Sequence, residues 1–137
     1  MSLLDGTGME KRRYIRVPSH FPVRYYSVEN KDAATNPFES MSDNISVGGM
    51  MFFSERNFHP NEVLRLEFKI ENSGRVISMS VFGRVVWNDE IEKGTLYNTG
   101  VEFQNLSQEQ KDELGIFVKN VLAEKRKLEA KRKNQPF

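Results

Sequence analysis

Leu64, Leu66, Phe68 and Ile70 alternate with Arg65, Glu67, Lys69 and Glu71. A strict period of two sorts side chains onto opposite faces only when the chain is extended, so this stretch is a strand with one dry and one wet face. Such a strand must find partners to cover its apolar row. Asn72-Ser73-Gly74 follows at once, residues suited to the positive-φ positions of a tight turn, and the long run from about Arg75 to Asp89 is then its hairpin partner. Glu92-Lys93-Gly94 turns the chain again into a strand at about Thr95 to Phe103. Upstream, Phe21 to Val28 alternates and is rich in β-formers, entered through Pro18 and Pro22. Glu29 to Ser40 reads as a polar loop, followed by strands at about Met41 to Ile45 and at Met50 to Phe53, the latter an apolar run expected to be wholly buried. Six strands at hairpin spacing predict a mainly β protein, a six-stranded antiparallel barrel, because closure removes exposed edges. Trp87, on the long strand, is expected in the barrel core.

One helix is predicted. Ser107-Gln108-Glu109-Gln110 is a capping box, in which the hydroxyl accepts from the Gln110 amide and the Gln110 side chain reaches back to the Ser107 amide. Leu114, Phe117, Val118, Val121 and Leu122 make a single apolar stripe at helical spacing, the face that packs on the barrel. Past Leu122 the sequence is dominated by Lys, Arg and Glu, so the helix is expected to project and fray, its cations favourable at a helix C-terminus. With 137 residues, 38% hydrophobic and 28% charged, the chain has the length and composition of one globular domain. The expected division is a flexible leader over residues 1–10, the barrel with its packed helix over 11–122, and a basic helix end and tail over 123–137.

Two polar stretches stand apart from this scaffold. Lys11-Arg12-Arg13-Tyr14-Ile15-Arg16 puts four cations in six residues just before the first strand. A guanidinium presents two parallel N–H donors to a phosphate, or to the O6/N7 edge of guanine, so three arginines favour shaped recognition of an anion. Asp43-Asn44-Ile45-Ser46-Val47-Gly48-Gly49 sets an amide, a hydroxyl and glycines at fixed offsets. Asn both donates and accepts at a base edge, Ser bonds a ligand or its own turn, and the glycines permit positive φ or close backbone approach. Taken alone, each stretch is more simply read as solvated charge or an ordinary turn.

Together, Arg12-x-x-x-Arg16 and Asn44-x-Ser46-x-x-Gly49, in that order ahead of and within a small β-barrel, resemble the PilZ family of cyclic di-GMP receptors. Gly83-Arg84-Val85-Val86-Trp87 and Gly100-Val101-Glu102-Phe103 are similar to barrel strands of that family, and the resemblance spans roughly residues 11 to 122. It implies a PilZ-type barrel, cyclic di-GMP as ligand with no cofactor, and a non-enzymatic receptor that signals by ligand-induced ordering or surface change to a downstream protein partner. The implied ligand-binding residues are Arg12 and Arg16, Asn44, Ser46 and Gly49, with Arg13 an additional cation inside the first motif. Asn44 stands where the family often has Asp, which removes a negative charge facing guanine, and Asp43 is one residue out of register.

Other chemistries lack their residues. Ser46 is not in a Gly-x-Ser-x-Gly elbow, and His20 and His59 have no local carboxylate partner, so no catalytic site is predicted. Without cysteine and with two isolated histidines there is no metal-ligand spacing and no disulfide framework. No run of eighteen apolar residues and no basic-then-apolar leader occur, so membrane insertion is not expected and a cytoplasmic location is. Competing functions are a small-barrel module for nucleic acid or protein that uses its basic ends, and a ligand-independent PilZ-like scaffold; the net charge of +1 says little, because the cations gather at residues 11–16 and again from Lys125 to Lys133, and nucleic acid is not the expected partner.

Overall fold

The computed structural model describes residues 14–29 and 37–133. Among the described residues seven strands and one helix follow in order: β1 (Val17–Pro18), β2 (Pro22–Ser27), β3 (Phe38–Ile45), β4 (Gly49–Ser54), β5 (Val63–Asn72), β6 (Arg75–Glu92), β7 (Leu96–Gln104) and α1 (Gln108–Lys133). The period-two stretch is β5, and its inward side chains Leu64, Leu66, Phe68 and Ile70 are all buried. It pairs with β6 from Val63–Arg84 to Asn72–Arg75, and the turn between them carries positive φ at Ser73 and Gly74.

Every pairing is antiparallel, in the order β3-β2-β5-β6-β7-β4, and β4 pairs back onto β3. Six strands therefore close a barrel, as the alternation predicts. Two details differ. The additional strand β1 runs along the far half of β3, Val17 opposite Ile45 and Pro18 opposite Asn44. Two residues, one of them proline, carry no periodic signal. In addition, β3 begins at Phe38, inside the stretch expected to be loop, because Tyr25–Phe38 and Arg24–Glu39 extend the β2 ladder. The ladder, and not the polarity of Glu39 and Ser40, decides where that strand starts.

The barrel interior is filled by Val23, Tyr25, Ile45, Met50, Phe52, Leu64, Leu66, Val81, Val85 and Val101 among others. Each fully buried Leu, Ile or Phe contributes about 1.5–3 kcal/mol by leaving water. Met50 and Phe52 point inward while Met51 and Phe53 are only half buried. So the apolar run of β4 has one covered face, not two. Phe58, from the loop after β4, packs edge-on against Tyr25 with centroids 5.9 Å apart.

Helix α1 opens on the predicted capping box: the Gln110 amide donates to Ser107 Oγ at 3.1 Å and the Ser107 amide to Gln110 Oε1 at 2.9 Å. Leu114 and Val118 enter the core, with Phe117, Val121 and Leu122 packed against it. Asn72, buried at the end of β5, donates to the backbone oxygen and to Oε1 of Glu113, both at 3.0 Å. Residues 123–132 are exposed, and the helix projects through them to Lys133. Among the described residues no helix is long and apolar enough to cross a membrane.

Candidate ligand-binding site

Arg16 stands immediately before β1, and the pairing of Val17 with Ile45 sets it beside the end of β3. Asn44 lies on β3 and the Ser46–Gly49 turn joins β3 to β4, so a segment almost thirty residues earlier is brought against the turn by four residues of ladder. Arg16, Asn44, Ser46 and Gly49 line one open cleft of ≈ 960 Å³. Arg12 and Arg13, and the leader before them, lie outside the described residues.

The turn is shaped by its own hydroxyl. Ser46 Oγ accepts from the amides of Gly48 and Gly49, both at 3.1 Å, and the Ser46 amide donates to the Gly49 carbonyl at 2.9 Å. Neither Gly48 nor Gly49 is among the residues with positive φ. Their lack of a side chain serves close approach instead: a Cβ on Gly49 would lie 2.3 Å from the Val101 carbonyl oxygen, and one on Gly48 would lie 2.4 Å from the Tyr14 ring.

Trp87 is not in the core. β6 pairs Val85 with Val101 and then Trp87 with Gly100, a register shift that gives β6 one extra residue. Such a bulge reverses the inward-outward alternation. Inward positions are Met79, Val81 and Val85 before it, whereas after it Asn88 turns inward, donating to buried Thr99 Oγ1 at 2.6 Å. Trp87 therefore faces outward and its ring lies over Gly100, where a Cβ would fall 2.4 Å from it. The Arg16 guanidinium sits 5.3 Å from the ring centroid, a cation held on an aromatic face.

A second register shift, between Ser42 and Asn44 in the β3–β4 ladder, does the same for Asn44. Ser42 and Ile45 point inward, so Asn44 between them turns to the cleft. Its Nδ2 donates to Met51 Sδ at 3.1 Å, and Arg16 Nη1 approaches the same sulfur at 3.9 Å. The same Asn44 Nδ2 also donates to Asp43 Oδ2 at 3.4 Å, whereas Arg16 meets, among the described residues, only the thioether, a weak acceptor, and remains available to a stronger one. Arg84, on the opposite wall, donates to Glu102 at 3.2 Å and to Asn61 at 2.6 Å. Sequence reasoning missed Tyr14, Met51, Arg84 and Lys111 as lining residues, since nothing local marks them.

The cleft offers a planar cation on an aromatic platform, an amide and a glycine-lined wall, a set suited to an anion carrying a flat ring. The family model described as PilZ domain matches residues 10–120, most of the chain. The chain belongs to the PilZ domain family. An uncharacterized protein of Aquifex aeolicus is 29% identical over 115 residues, 83% of this chain and 51% of that protein. Among solved structures, the PilZ domain of YcgR from Escherichia coli, determined with c-di-GMP, is similar with a TM-score of 0.64 and 14% identity, over 88% of this chain and 98% of that one. The Bacillus subtilis inhibitor of motility MotI/DgrA is similar with a TM-score of 0.66 and 17% identity, over 82% of this chain and 52% of that one. This PilZ chain spans about half the length of the Aquifex protein and of MotI/DgrA. The PilZ match ends at residue 120, so the exposed cationic part of α1 lies beyond it.

Proposed function

We propose that the cleft binds cyclic di-GMP and that the protein is a cytoplasmic, non-enzymatic receptor for this second messenger, relaying it to a downstream protein partner. The observation that carries this is the convergence of Arg16 with the Asn44–Gly49 turn on one cleft floored by Trp87, in a chain of the PilZ family. Arg16 pairs with a phosphate or with guanine O6 and N7, and Trp87 keeps its guanidinium flat for that purpose. Asn44 exchanges the Met51 sulfur and its 3.4 Å contact with Asp43 for a guanine edge, to which it both donates and accepts. Ser46 acts through the turn, because its oxygen already receives two amides. Gly49 lets the turn lie flat on β7, and Arg12 and Arg13 join the phosphates when the ligand draws their segment onto the barrel. That recruitment is the surface change a partner reads.

Calorimetric titration of the full chain with cyclic di-GMP, linear GMP and cyclic di-AMP tests this. Selective binding of cyclic di-GMP is expected. Arg16→Ala should weaken it on the order of tenfold to a hundredfold, the value of a lost charge-assisted contact of about 1.5–3 kcal/mol. Equal affinity for all three nucleotides, or wild-type binding by both Arg12→Ala and Arg16→Ala, would rule the assignment out.

A further inference from the structure

The cleft does not stop at the two motifs. It continues past Gly48 and Phe103 to Asn105 and to Lys111, on helix α1. The chain gets there by a sharp reversal: the Phe103 amide still donates to the Gly48 carbonyl at 2.9 Å, Asn105 takes a φ of 53°, and Ser107 then caps the helix. Lys111 closes the first helical turn, its amide donating to the Ser107 carbonyl.

Three described cations line the cleft, and they differ in their partners. Arg84 is matched by Glu102, whereas none of the ion pairs among the described residues includes Arg16 or Lys111. A lysine in the first turn of a helix is also electrostatically misplaced, because it meets the positive end of the helix dipole. An anion bound in the cleft would relieve both conditions, drawing on the uncompensated lysine and on the dipole at once. Resting on the cyclic di-GMP reading of the cleft, we propose that Lys111 is a further ligand-binding residue, which pairs with the phosphodiester side of the nucleotide and makes the helix part of the binding site. The ligand then spans barrel and helix, and its arrival is felt at the foot of the same helix whose far half projects free of the barrel.

The position makes an unusual prediction, because stability and binding should move apart. Lys111→Gln removes a charge that the helix dipole opposes, so the unliganded variant should melt at or slightly above the wild-type temperature. Its affinity for cyclic di-GMP should nevertheless fall roughly three- to tenfold at low ionic strength, and the difference should shrink as salt is raised. Lys119→Gln, an exposed lysine of the same helix that does not line the cleft, controls for net charge and should bind as wild type. Wild-type affinity in Lys111→Gln while Arg16→Ala is weakened would overturn the role of Lys111 and leave the ligand assignment standing. An equal loss in Lys119→Gln would overturn it as well, reducing the effect to overall charge. No binding of cyclic di-GMP by the wild-type protein would remove the ligand assignment and Lys111 together.

Discussion

Gly49 and Ser46 sit in the same turn and answer to different constraints. A methyl group at Gly49 would meet the Val101 carbonyl at 2.3 Å, a backbone atom that can retreat only by parting β4 from β7. Gly49→Ala should therefore cost about 1–3 kcal/mol, the usual penalty for forcing a group into a packed site, and should lower the melting temperature and weaken cyclic di-GMP binding together. Unchanged melting would show that the turn does not need glycine for space. Ser46→Ala instead strips two amides of their acceptor, at roughly 0.5–1.5 kcal/mol per neutral hydrogen bond, and leaves the arginine contacts alone. Its effect on affinity should be smaller than that of Arg16→Ala in the same titration; an effect as large would make the hydroxyl a direct ligand contact.

The helix is joined to the barrel by more than its apolar stripe. Asn72 is buried, and both of its contacts to α1 run to Glu113, which also receives Arg75 at 3.4 Å. The exposed ion pair adds little, because Arg75 stays in water. The buried amide matters more: Asn72→Ala removes both of its bonds to Glu113, leaving the carboxylate to the exposed Arg75, and should destabilise the protein by about 1–3 kcal/mol in urea unfolding. If unfolding were unaffected, the docking of α1 would rest on Leu114, Val118 and their neighbours alone. Because Lys111 lies two residues before Glu113, the same variant should also blunt ligand binding, by loosening the helix against the cleft.

Barrel closure seals Tyr25 in the interior, against Phe52 and Phe58. Burial raises its phenol above the ordinary value of 10.0, the hydroxyl accepting from the Glu55 amide at 3.2 Å as a smaller, opposing influence. The sign follows from proton counting. Above pH 10 the unfolded chain gives up the Tyr25 proton while the folded one keeps it, so the folded state binds more protons and loses stability as pH rises. Below pH 10 both states hold the proton and the group is indifferent. Tyrosinate absorbance followed through an alkaline titration should show one tyrosine ionising late and together with unfolding. A smooth titration of all tyrosines in the folded protein would mean that the barrel opens at Tyr25.

The barrel was legible because β5 and β6 obey period two over most of their length, and burying one face of an alternating ribbon leaves few options beyond closure. The capping box and the stripe from Leu114 to Leu122 were local enough to be read directly. The two motifs could be named, but not their geometry. Alternation carried forward from Ser42 and Val85 sends Asn44 and Trp87 inward, and in the folded chain both are turned out by a single extra residue in the ladder. A bulge is a property of two strands in register, and neither strand's own sequence records it. The same holds for Gly49 and Gly100, whose need for glycine comes from the Val101 carbonyl and the Trp87 ring and not from their own φ. Lys111 is a helical lysine like any other until the Asn105 reversal lays its turn along the cleft. Residue types and periods thus determined the fold class and the chemistry on offer; which side chains meet was decided by ladder register and chain reversal, contacts between segments that local physics does not link.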